Sequence, residues 1–280
     1  MKHPIHQLLL IALLLFSGFY LQACGYLRAG GRASPTVDLS PLELAVARDE
    51  ARKQLAILDN TNNGLNTFKG VGKIRLWRDD NVQIAERVVW AGAQPSRLSI
   101  VVLFSGQPGP RLATDGRYLY YLDLREKNHP FKKIRTADAS LEKILSLPVK
   151  SSDIIELLRG RVPLYEFSSA ALIRDRSAED YVLILEKRRR GVVEKVYLDG
   201  NNKNARKIEV FDSNGGLRYR AELKSVQTIE GYRVPLRLEI SNEAGEGFLL
   251  EIDRYLANAP VSPSMFVLNP PASSDNKQQD

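Results

Sequence analysis

The chain has 280 residues, with 40 Lys and Arg against 33 Asp and Glu, and a single cysteine. One thiol excludes an intrachain disulfide framework. The net charge of +7 is distributed among bases that alternate with acids, which argues against a nucleic-acid surface and suits a weak attraction to anionic lipid headgroups.

An apolar run, Leu8 to Leu15, follows Lys2 and precedes Leu21-Gln22-Ala23-Cys24. A basic start, an apolar middle and small residues before a cleavage point make a secretory signal peptide. The run is interrupted by Ser17, Gly18 and Gln22, so it falls short of the roughly 18 apolar residues of a membrane span. The tetrapeptide resembles the bacterial lipobox. That resemblance implies removal of residues 1–23, acylation of Cys24 and a firm membrane anchor. Gly25 in the next position, where an aspartate would imply inner-membrane retention, implies the periplasmic face of the outer membrane. Residues 24–38, with Gly30, Gly31, Ser34 and Pro35, read as the lipidated cysteine and a flexible tether.

The folded domain is expected over 39–270. Ser40, Pro41 and Glu43 form a capping box with proline at the first helical position, and Leu39 and Leu44 form a hydrophobic staple. Leu44, Ala47, Ala51, Leu55 and Leu58 continue as one stripe, and Asn60 to Gly64 end the helix.

From Thr67 the period becomes 2. Phe68, Ile74 and Leu76 share one face in the first strand, as do Val88 and Trp90 in the second. Leu98, Ile100 and Val102 do so in the third, and Tyr118 and Tyr120 in the fourth, after an Asp115-Gly116 turn. The loop Phe104 to Pro110 should project from the rim, because Pro108 and Pro110 deny it ladder donors. Two short helices are expected next. One starts at Asp138 or Ser140 and buries Leu141, Ile144 and Leu145. The other is capped by Ser151 or Ser152, buries Ile154, Leu157 and Leu158, and stops at Gly160. Residues 164–176 read as loop. A second meander follows, with Leu236, Leu238 and Ile240 on one face of one strand and Phe248 and Leu250 on one face of the last. Pro235 requires an edge or a bulge. Residues 271–280 lack apolar content and should be disordered.

Strands apolar on one face and charged on the other specify an α+β fold. Its single antiparallel sheet of ten to eleven strands must curl into a half-barrel, with a wet outer face. One long and two short helices cover the concave face. Its inward residues, from Phe68 and Ile74 through Leu250, form a candidate ligand cavity. The cavity takes either the acyl chains of lipids or the chain's own side chains, the second case making a scaffold lipoprotein that binds partners on its outer face.

The order of elements resembles LolA and LolB, the periplasmic carrier and outer-membrane receptor of lipoprotein sorting. Gly231-Tyr232-Arg233-Val234-Pro235 and the ending Pro263 to Pro270 are similar to motifs of that superfamily. The resemblance implies non-covalent binding of lipid or lipoprotein acyl chains by a monomer, with a periplasmic carrier as a possible partner and no cofactor. LolB carries an exposed leucine on an early loop. The matching positions here are Phe104, Gln107 and Pro108, a candidate docking loop. Catalytic chemistry has little to work with. After processing the histidine content is His129, Ser105-Gly106 lacks the Gly-x-Ser-x-Gly frame, and no Cys/His set can hold a metal. Lys187 to Arg190 reads as a solvated basic turn.

Overall fold

The structure is a computed structural model and describes residues 40–79, 81–126, 130–135, 141–142, 147–175, 180–200 and 204–271. The lipobox, the tether, His129, most of the first short central helix and residues 272–280 lie outside the described residues.

Helix α1 spans Pro41–Asn60. The expected stripe is buried at Ala47, Ala51 and Leu58, and Gln54 joins it. Six strands follow: β1 (Thr67–Arg78), β2 (Asn81–Ala93), β3 (Arg97–Phe104), β4 (Gln107–Thr114), β5 (Tyr118–Asp123) and β6 (Phe131–Arg135). After α2 (Ser151–Leu158) come β7 (Ser169–Asp175), β8 (Asp180–Lys187), β9 (Gly191–Leu198), β10 (Ala205–Phe211), β11 (Leu217–Ile229), β12 (Tyr232–Ser241) and β13 (Gly247–Ala257). All lie in one antiparallel sheet in the order β6-β5-β4-β3-β2-β1-β13-β12-β11-β10-β9-β8-β7. Each meander is thus built of sequence neighbours, and the last strand closes against the first.

The sheet has 13 strands, more than the ten to eleven that alternation predicts. The extra strands carry weak signals. β4 begins Gln-Pro-Gly-Pro, β6 is Phe-Lys-Lys-Ile-Arg, and β7 falls in the stretch read as loop. α2 matches the second short helix, but its N-cap is Lys150, with no side-chain cap bond. Ser151 and Ser152 fall inside the helix, with Ser151 buried. The helix ends at Leu158, two residues before Gly160, whose φ is +71°.

The core lies on the concave face, where Phe68, Leu98, Leu183, Val196, Ile208, Ala221 and Leu238 are fully buried. α2 runs inside the curve and approaches both β3 and β12. At one end the sheet splits. β12 pairs β13 only from Arg237 to Ser241, while Tyr232 to Pro235 pair with β11. Pro235 sits in that split, where the missing N–H costs no bond to β13. The gap is laced by side chains. Asn62 Nδ2 donates to the carbonyls of Arg159 (2.5 Å) and Arg233 (2.7 Å). Asn258 Nδ2 donates to Gly64 O (3.0 Å) and Tyr232 Oη (2.9 Å). The buried Arg159 donates from Nε to Leu65 O at 2.6 Å and pairs with Glu156.

Candidate functional site

The antiparallel order puts the hairpin tips at 78–81, 104–107, 187–191, 211–217 and 241–247 on one rim of the sheet. At that rim, on the first meander, the inner face does not close. A chamber of about 230 Å³ remains, with Ile74, Leu76, Ile84, Ile100, Val102, Leu112 and Tyr121 among its walls and Arg78, Arg125 and Glu246 beside them. Arg78 pairs with Glu246 at 3.0 Å, and Arg125 with the buried Asp123 at 2.9 Å. The apolar wall comes from period-2 alternation, since Val88, Val102, Trp90 and Ile100 stand opposite one another across β2 and β3. Glycines let neighbouring rings lie flat on the sheet: a Cβ on Gly70 would fall 2.2 Å from the Trp90 ring, and one on Gly92 2.2 Å from the Phe68 ring.

Of the predicted cavity residues, Ile74, Leu76, Ile100 and Val102 line the chamber. Phe68, Val88, Trp90 and Leu98 are buried core beside it. Leu238, Ile240, Phe248 and Leu250 are also core, and Leu236 is half-buried against it. Tyr118 and Tyr120 require correction. Register sets Leu119 opposite Thr114 and Tyr121 opposite Leu112, on the inner side. The two tyrosines therefore lie on the outer face, where the Lys133 ammonium sits over both rings and Asp115 accepts the Tyr120 hydroxyl at 3.0 Å. Both sides of β5 are rich in large side chains, so alternation alone could not tell in from out.

The loop from Phe104 also differs from expectation. Ser105 and Gly106, with φ of +48° and +81°, make a two-residue turn, and Phe104 pairs directly with Gln107. The prolines are tolerated because β5 pairs with β4 only from Pro110 onward. Gln107 and Pro108 are exposed at the rim. Phe104 is half-buried under Arg125, whose guanidinium lies 4.0 Å from the ring centroid.

Over the second meander the inner face is closed by α2 and a buried polar cluster that sequence reasoning missed. Asp153 of α2 accepts the hydroxyls of Tyr165 (2.6 Å) and Tyr219 (2.9 Å). Glu194 accepts the Tyr165 N–H at 3.0 Å, and its other oxygen is buried without a partner. Burial pushes the Glu194 carboxyl up to about 8, with the nearby Asp153 charge adding to the shift and the Tyr165 N–H opposing it. Burial also raises Asp153, against the pull of the two hydroxyls and Lys150. The available signal was Glu194 itself, an acid next to Val193 in an otherwise apolar register.

The outer face is not uniformly wet. On β9 to β13 it carries ion pairs, including Arg220–Glu209, Lys224–Glu239 and Arg237–Glu251. On β1 to β3 it holds a groove of about 340 Å³, with Val71, Val89, Ala91, Val101, Leu256 and Met265 among its walls. Beside it the C-terminal segment packs Phe266 onto Ala91 and Ala93. Among the described residues no group of three His, Cys, Asp or Glu side chains is placed to hold a metal ion, and no helix is long and apolar enough to cross a membrane.

No protein-family model matches the sequence, and no curated protein aligns with it. Solved structures do match the fold. A LolA superfamily protein from Nitrosomonas europaea superposes with a TM-score of 0.53 at 19% identity, over 78% of this chain and 97% of its own. A candidate outer membrane lipoprotein-sorting domain from Vibrio parahaemolyticus gives 0.55 at 11% identity, over 78% and 97%. A DUF1329 family protein from Desulfovibrio piger gives 0.51 at 9%, over 80% and 97%. The chain has the LolA/LolB-like fold.

Proposed function

We propose that this protein is a non-catalytic lipoprotein of the cell envelope that holds an acyl chain of a lipid or lipoprotein in the rim chamber. The observation that carries the reading is the aliphatic wall formed by Ile74, Leu76, Ile84, Ile100, Val102 and Leu112. A space of about 230 Å³ is smaller than the roughly 300–1,000 Å³ of most small-molecule sites. It therefore takes one chain end and leaves the rest of the ligand outside. The lipobox at Cys24 supports an acyl anchor, and Gly25 an outer-membrane address. The lipoprotein-sorting role stated for the Vibrio structure supports a LolB-like receptor reading. In it the exposed Gln107-Pro108 tip, with Phe104 beneath, makes the docking contact at the chamber mouth.

Native mass spectrometry of the purified protein tests this. A co-purified adduct of lipid mass, lost when Ile100 is changed to Glu, supports the reading; a clean apo mass from freshly extracted protein contradicts it. A second reading is favoured by the outer groove at Val71, Val89 and Val101. There the protein is a scaffold, and a partner protein covers those valines.

A further inference from the structure

We propose that the β8–β9 hairpin is a second contact with the membrane and grips an anionic lipid surface. The hairpin closes Lys187 against Gly191 and leaves Arg188, Arg189 and Arg190 as its exposed loop. Folding does not call for arginine here. Arg189 has a φ of +69°, a conformation that turns usually give to Gly or Asn. Lys187 pairs with Glu166 at 2.6 Å. Arg190 is near enough to help hold the Glu166 carboxyl below its usual range, after the larger effect of Lys187. The corner thus carries four cations against two acids, Glu166 and the exposed Glu186.

An apolar group stands with them. The Arg188 N–H donates to Ser168 Oγ at 2.7 Å, which ties the tip to the start of β7. The adjacent Phe167 is 38% exposed. An aromatic ring beside a basic loop suits the bilayer interface, where the ring enters the headgroup layer and the guanidinium groups meet phosphates. The location adds a reason. This hairpin lies on the rim where the chamber opens, so the contact would turn the chamber mouth toward the surface that supplies acyl chains. Three of the other tips on this rim carry acids, Asp79, Asp212, Glu243 and Glu246, and the tip at 104–107 carries no charge, so the grip is confined to one corner.

The purpose rests on the acyl-binding reading, but the contact is tested separately. The full chain carrying Cys24→Ala is mixed with phosphatidylcholine vesicles with and without phosphatidylglycerol, and bound protein is measured by sedimentation. The apolar run at residues 8–15 contributes equally to every variant, so the readout is the increment caused by phosphatidylglycerol. Each basic residue near such a surface contributes about a factor of five, so changing Arg188, Arg189 and Arg190 to Ser together should cut the increment about a hundredfold. Changing the same three to Lys should preserve it within a few-fold. Phe167→Ser should weaken it several-fold. Removing three cations elsewhere, with Arg48, Arg52 and Lys53 of α1 changed to Ser, should leave it intact. Equal loss in that control, or no phosphatidylglycerol increment in the parent chain, overturns the proposal. Fatty-acid binding should survive all these changes, so its failure would count against the chamber and not the hairpin.

Discussion

The two meanders obey the same alternation and put it to different uses. In β7 to β13 the inner face is closed by α2 over Asp153, Tyr219 and Glu194, and the outer face is a lattice of ion pairs. In β1 to β6 the inner face leaves a chamber at the rim, and the outer face keeps valines where the other half has charges. A period-2 pattern therefore fixes where a side chain points but not whether the space in front of it is filled. Filling depends on what comes across from another element. α2 brings a carboxylate to the second half, while nothing described fills the rim between Leu76 and Val102.

The largest effect that sharpens this contrast is expected at Leu238, which is fully buried. Leu238→Glu buries an unpaired charge and should cost more than about 4 kcal/mol, enough to abolish cooperative unfolding in a urea titration. Next comes Arg159, buried between α2 and Leu65 O. Arg159→Met leaves that carbonyl without its donor and takes from Glu156 one of its two arginine partners, Arg161 remaining, and should cost about 3 kcal/mol. It should also speed amide exchange in α2 before the rest of the sheet. Gly92→Ala tests the open half. Its Cβ meets the Phe68 ring at 2.2 Å, so about 2 kcal/mol is expected from overpacking, read as a lower thermal midpoint.

A pH series addresses the closed half. Folded Glu194 titrates at about 8 against an ordinary 4.5, so the folded state keeps a proton that the unfolded chain has lost between those values. Stability should fall as pH rises through that window, by at most about 1.4 kcal/mol per unit. Glu194→Gln should flatten the slope. A wild-type slope of the opposite sign would mean that the carboxyl is charged and paired in the folded state. The smallest effect is expected at Arg237, whose contact with Glu251 is a solvent-facing pair at 3.6 Å. Arg237→Glu should change stability by under about 1 kcal/mol. A loss there equal to that at Leu238 would mean that the strand register is misread.

Much of this fold was legible in the sequence because alternation and helix stripes are local. Phe68, Trp90, Ile100 and Leu238 face inward as their neighbours demand, and α2 stops two residues before Gly160 as a glycine C-terminus should. Three strands were not legible. β4 hides behind Pro108 and Pro110, which are tolerated because β5 pairs with β4 only from Pro110 onward. β6 is too basic to look half-buried, and β7 is short. Tyr118 and Tyr120 went to the wrong face because β5 is large and apolar on both sides. The roles of Arg159, Asn62 and Asn258 depend on partners about 90 to 200 residues away, which no local pattern can supply. Of the site's aliphatic wall, Ile74, Leu76, Ile100 and Val102 followed from alternation. Its confinement to one rim did not, because that depends on where α2 lies.

The central claim is that the rim chamber binds one acyl chain. A titration with a fluorescent fatty acid, run on wild type and on Ile100→Glu with thermal midpoints measured alongside, tests it most directly. The account predicts saturable binding of one equivalent by wild type, and loss of binding by the variant with its midpoint nearly unchanged. Undiminished binding in Ile100→Glu, or no saturable binding by wild type, would contradict it.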